Sequence, residues 1–109
     1  MLRAQLIEEG FDVVATDRWL ELRRLLRPAS RPRLVIVDLH GLPDPDRVLN
    51  DLAMIMKPRR VLVVTAGGTV LPDQIQARGF LVVSRPVPIG GIVAAAAQAI
   101  REQIISTTQ

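Results

Sequence analysis

The stretch Leu34-Val35-Ile36-Val37-Asp38-Leu39 decides the fold. It is aliphatic at nearly every position and breaks only at Asp38. A strand with one wet face alternates apolar and polar residues. A strand covered by helices on both faces reads as a continuous aliphatic run, which is the habit of parallel sheets. The same texture returns at Val61–Ala66, Val-Leu-Val-Val-Thr-Ala. Two further runs, Asp12–Ala15 and Leu81–Ser84, complete four expected strands.

Between the strands the period changes to that of a helix. Leu2 to Glu9 puts Leu2, Leu6 and Ile7 toward one side, with Gly10 as its stop. Asp17 to Arg27 puts Trp19, Leu22 and Leu26 on one face and Arg18, Glu21 and Arg24 on the other, and Pro28 follows. Asp46 to Met56 carries Val48, Leu49, Leu52, Ile55 and Met56, and Pro58 ends it. Leu71 to Arg78 is a short helix closed by Gly79. The last helix is expected from about Pro88 to Ile104, with Ile89, Ile92, Val93, Ala96, Ile100 and Ile104 at three- and four-residue spacing. Alternation of this kind predicts an α/β fold of right-handed crossovers: a three-layer sandwich around a parallel sheet of four strands.

Composition bounds the rest. With 109 residues and no linker or repeat, residues 1–109 read as a single domain. Apolar residues make up 49%, yet Phe11, Trp19 and Phe80 are the only aromatics, so the core must be built from Leu, Ile, Val and Ala. There is no cysteine, hence no disulfide frame and no thiolate metal site, which fits a cytoplasmic setting. The net charge of +3 rests on thirteen arginines and Lys57 alone among lysines. Arg18, Arg23, Arg24, Arg27, Arg31 and Arg33 read first as a solvated face softened by Asp17 and Glu21, with a contact for nucleic acid or an acidic partner as the alternative. No recognition helix, zinc motif or aromatic platform accompanies them, so direct contact with nucleic acid is not expected. No apolar run approaches the roughly 18 residues of a membrane span. Met1 to Glu9 carries two acids and does not read as a signal peptide. No membrane partner is expected.

In an open parallel sheet, chemistry gathers at the carboxyl ends of the strands. There the second run ends in Asp38, the third in Thr65, and the fourth in Ser84-Arg85-Pro86. A carboxylate, a hydroxyl and a cation would share one edge. Each also has a plainer role: Asp38 can cap a turn, Thr65 suits any strand, and Arg85 can be solvated. His40, the one histidine, stands near Asp38 with no further partner for catalysis. Gly67-Gly68 lacks the spacing of the known phosphate loops and reads as a turn.

Taken in order, these residues resemble the receiver domain of two-component response regulators, and the likeness covers nearly the whole chain. Receivers have a strand ending in a phosphoacceptor aspartate, matched here by Asp38 in Leu-Val-Ile-Val-Asp38-Leu. Their next strand ends in Thr or Ser before Ala, matched by Thr65-Ala66. Their last ends in Lys-Pro, matched by Arg85-Pro86, with a glycine ahead of it, matched by Gly79. Leu-Ile-Glu-Glu-Gly-Phe-Asp-Val-Val looks like the end of a receiver's first helix and its second strand, and Asp17-Arg-Trp-Leu-Glu-Leu like its second helix. The resemblance implies a flavodoxin-like sheet lacking its first strand, with Asp38 as candidate phosphoacceptor and Thr65 and Arg85 as candidate phosphoryl contacts.

The departures shape the expected function. The likeness begins inside the first helix, so the family's first strand and its acidic, cation-holding pair have no counterpart here. Glu8 and Glu9 lie at the far end of that helix. Arg85 replaces lysine, and a planar guanidinium is not an ammonium. Val82 stands where the switch aromatic belongs, with Phe80 two residues earlier. Phosphoryl transfer needs its charge neutralised, largely by metal. The expectation is therefore no enzyme but a degenerate receiver acting by protein–protein interaction. Mg²⁺ enters only if Asp38 is phosphorylated, and no other cofactor is expected. The alternative is a working phosphoacceptor at Asp38; a small enzyme or nucleotide binder ranks below both. Partners would be a sensor kinase, an output domain or a second copy, with a homodimer a reasonable outcome. The alanine-rich last helix supplies the docking candidates Ala94, Ala95, Gln98, Arg101 and Glu102.

Overall fold

The computed structural model describes residues 2–14, 16, 18–26, 32–65 and 72–108, with side chains to residue 103. The elements run α1 (Leu2–Glu8), α2 (Trp19–Leu25), β1 (Val35–Asp38), α3 (Pro45–Ile55), a 3-10 turn (Pro58–Arg60), β2 (Val61–Thr65), α4 (Pro72–Ala77), β3 (Leu81–Ser84) and α5 (Ile89–Thr108). The three strands are parallel, in the order β1-β2-β3. Val35 lies level with Val61, and Leu62 with Leu81.

Period-two alternation divides the core. Val35 and Val37, Val61 and Val63, and Phe80 and Val82 pack on one face, against Leu26, Val48, Leu49, Leu52, Met56 and Ile75. Leu34 and Ile36, Leu62 and Val64, and Leu81 and Val83 pack on the other, against Leu6, Ile92, Val93 and Ala96. Helices α2, α3 and α4 thus cover one face, and α1 and α5 the other. The topology explains the division. Each new strand is added on the same side of the last, and right-handed crossovers then keep α3 and α4 on one face. The opposite face is left to the first and last helices.

The helices start and stop where local chemistry dictates. Asp44 caps α3: its carboxylate accepts the Arg47 N–H at 3.4 Å, and Pro45 occupies the first turn. The expected buried face of α3 is present, with Val48, Leu49, Leu52 and Met56 all buried. Trp19, Leu22 and Leu26 likewise face inward from α2. The last helix runs to Thr108, four residues beyond its expected end at Ile104; no glycine or proline intervenes to stop it.

The sheet has three described strands where four were expected. Asp12–Val14 forms no strand, because no ladder joins it to β1, and Ala15 lies outside the described residues. Its alternation is nevertheless that of an extended, half-covered segment. Val13 packs against the second core cluster, while Val14 is 73% exposed. Asp17, Arg27, Pro28, Arg31, Ala66, Gly67-Gly68 and Leu71 also lie outside the described residues. No described helix is long and apolar enough to cross a membrane.

Gly79 turns the chain from α4 into β3 at φ +94°, a region costly for any residue with a Cβ. A Cβ there would also stand 3.2 Å from Cβ of Pro58, whereas one at Gly10 (φ +91°) would meet nothing within 4 Å. Gly79→Ala is expected to cost about 1–2 kcal/mol from backbone strain alone, plus a crowding cost. Urea unfolding of both alanine variants checks this, because Gly79 should exceed Gly10 by the crowding contribution.

Candidate functional site

The carboxyl edge of the sheet is built by register. Asp38 closes β1 level with Val64, and Thr65 closes β2 level with Ser84. The ladder continues past the strand ends: the Leu39 N–H donates to the Val64 carbonyl at 3.0 Å, and the Arg85 N–H to the Thr65 carbonyl at 2.9 Å. Arg85 is thereby fixed at the end of β3, two strands from Asp38. Adjacent strands lie about 4.8 Å apart, so a side chain as long as arginine can bridge that span.

It does so. Nη2 of Arg85 donates to Oδ2 of Asp38, passing over the end of β2. The other carboxylate oxygen, Oδ1, accepts the His40 N–H at 3.0 Å, an Asx-type turn that starts the loop toward α3. Both partners of the ion pair are 43% exposed. At that exposure the pair is worth no more than about 1 kcal/mol, so its significance is positional. It ties the two outer strands together at the edge where chemistry would occur.

Of the three residues expected there, Asp38 and Arg85 meet directly. Thr65 sits between them in the sheet, is 2% exposed, and holds Arg85 through its main-chain carbonyl. His40 is exposed, and its contribution to Asp38 comes from its main chain. Among the described residues, no three or more His, Cys, Asp or Glu side chains come together as a metal site. Beyond Arg85 the chain runs through Pro86, Val87 and Pro88 beside an open depression of about 650 Å³.

The docking candidates on α5 sort by helical phase. Ala96 and Ala99 are buried. Ala94, Gln98, Arg101 and Glu102 are exposed, and Gln98 donates to Glu102 across one turn at 3.3 Å. Ala95 differs from expectation: it is half-buried, packed against the core cluster beneath α5. Its phase turns it toward the sheet, so the outer stripe passes through Gly90, Ala94 and Ala97 instead.

Sequence reasoning missed a groove between α1 and α5. It measures about 330 Å³ and is bordered by Gln5 and Glu8 on α1, by Glu9 in the turn that follows, and by Gly90, Val93, Ala94 and Ala97 on α5. Glu8 and Glu9 thus stand beside the first half of α5, the half that follows the carboxyl edge. The spacing of Gly90, Ala94 and Ala97 was a legible signal for it; the placement of α1 was not.

No family model matches this sequence, and no curated protein or solved structure matches it.

Proposed function

We propose that this domain is a receiver-like signalling module that works by docking protein partners, with Asp38 held in an ion pair instead of accepting phosphate. The observation that carries the reading is the state of Asp38. Each carboxylate oxygen already has a donor, His40 N–H on one side and Arg85 on the other. A phosphoacceptor must offer a free oxygen to phosphorus, and the charge that develops must be met, usually by metal. Here the guanidinium takes the place such a charge would need.

The ordered placement of Asp38, Thr65 and Arg85 on three successive parallel strands supports the kinship with receivers. In this reading the sheet is flavodoxin-like without its first strand, and the domain is cytoplasmic and not an enzyme. Its partner is a sensor kinase, an output domain or a second copy. The docking surface is the outer face of α5, where Ala94, Gln98, Arg101 and Glu102 are exposed.

A second reading makes Asp38 a working phosphoacceptor, with Arg85 pairing with the phosphoryl group and Thr65 in support. The exposure of Asp38 and Arg85 favours it, because a phosphodonor can reach both. Intact mass after incubation with a small-molecule phosphodonor and Mg²⁺ separates the two. No added phosphoryl group is expected on the folded protein. A gain of one, absent in Asp38→Asn, overturns the first reading in favour of the second.

A further inference from the structure

Two surfaces on opposite faces of the sheet carry opposite net charges that no ion pair within the described residues neutralises. The first is the α1–α5 groove. Its floor is Gly90, Ala94 and Ala97, spaced four and three apart and so on one side of α5. A Cβ placed on Gly90 would meet nothing within 4 Å, so the space above it is open. Its wall carries Glu8 and Glu9, both exposed. Small residues on a helix face let a second helix approach closely, toward the short end of the usual 8–10 Å between axes.

The second surface is the outer face of α2. Trp19 and Leu22 turn inward to the core, which leaves Leu20, Glu21 and Arg24 on the outer face, with Leu20 and Arg24 one turn apart. Leu20 is 69% exposed and Leu25 43%. Arg18, Arg23 and Arg24 are exposed as well and outnumber Glu21, so the surface is net positive. Among the described residues, the ion pairs within the chain are made by Arg78 and Arg85, so neither the two arginines of α2 nor the two glutamates of the groove are neutralised there.

We propose that the domain associates with itself head to tail: α2 of one copy lies in the α1–α5 groove of the next. Leu20 enters over Gly90 and Ala94, and Arg23 and Arg24 meet Glu8 and Glu9. The inference rests on the reading of α5 as the docking face and names its occupant. Because groove and helix lie on opposite faces, the contact is heterologous. Each copy added keeps one free groove and one free α2, so assembly continues past the dimer unless a ring closes. Opposite charges at an exposed rim make it weaken as salt rises.

Sedimentation velocity on the intact domain tests this, with two surface variants as caps. Ala94→Arg fills the groove, and Leu20→Asp with Arg24→Glu spoils the helix. All three positions are exposed, and circular dichroism and thermal melting should match wild type. The wild type is expected to grow beyond a dimer as concentration rises toward about 1 mM. Each variant alone should remain a monomer, and an equimolar mixture should give a one-to-one dimer that grows no further. A wild type that stays monomeric overturns the proposal. So does a mixture that stays monomeric while the wild type assembles. If only Ala94→Arg abolishes assembly, α2 is not the occupant but the α5 face remains the docking surface. If neither variant does, that reading of α5 fails too.

Discussion

Phe80→Ala is expected to remove about 3–5 kcal/mol of stability, the usual cost of truncating a buried aromatic. A domain of this size holds only about 5–15 kcal/mol in reserve, so the variant should sit near the edge of unfolding. Phe80 is 2% exposed and is the largest side chain among those fully buried. It belongs to the first core face together with Ile75 of α4, and above its ring lies the guanidinium of Arg78, 5.5 Å from the centroid. Arg78 in turn pairs with Asp46 at 3.6 Å and donates to Asn50, both on α3. Removing the ring takes away both the filling of the core and the surface on which that bridge rests. Urea unfolding checks the prediction: the midpoint should fall steeply with little change in slope. A loss below about 1 kcal/mol would mean the site collapses onto the void or that Phe80 packs less tightly than described.

Val64→Asp should be of the same order, about 3–5 kcal/mol at neutral pH, for a different reason. Val64 is fully buried in the central strand, on the face covered by α1 and α5. A carboxylate there would be surrounded by Leu6, Leu62, Ile92, Val93 and Ala96, with no cation among them. Burial raises the pKa of such a group above its unfolded value. The folded state then holds the proton more tightly than the unfolded one, so stability falls as pH rises through the raised pKa. The deficit relative to wild type should therefore shrink on acidification. Val64→Asn, which cannot titrate, should show no such recovery. Denaturant midpoints across pH for both variants measure this, and identical pH profiles would refute a buried charge at position 64.

Much of the architecture was legible because the strongest sequence signals are also the strongest energetic ones. The runs at Leu34–Leu39 and Val61–Ala66 gave two strands covered on both faces, and Val61–Thr65 is buried at every position. The inward faces of α2, α3 and α5 followed from residues three and four apart. Pro58 and Gly79 marked ends that the backbone respects. The segment at Asp12–Ala15 failed for a physical reason. Alternation reports which side chains are covered, and Val13 and Val14 obey it, but a strand also needs a neighbour to bond to. That depends on the rest of the sheet, and no local pattern encodes it.

The candidate site was half legible. Asp38 and Arg85 could be placed on one edge because parallel strands put their carboxyl ends together. Their direct pairing could not be foreseen, because it depends on the register that sets Ser84 level with Thr65 and so puts Arg85 just past the end of β2. The groove under Glu8 and Glu9 depends on how α1 lies against α5, a long-range choice between helices far apart in the chain.

The order in which the two faces are covered bears on how the protein emerges during synthesis. Everything needed for the face formed with α2, α3 and α4 precedes β3 in the chain, apart from Val82. The other face waits for α5, since Ile92, Val93 and Ala96 supply most of its cover. Translation adds about 5–20 residues per second, so the 20 residues of α5 take roughly 1–4 s to make. For that interval Leu62, Val64, Leu81 and Val83 lack their lid while the rest of the fold is ready to form. A nascent chain in this state presents a half-dressed sheet, the kind of surface a chaperone binds. A ribosome pause within α5 would lengthen that exposure more than a pause of equal duration anywhere between α2 and α4.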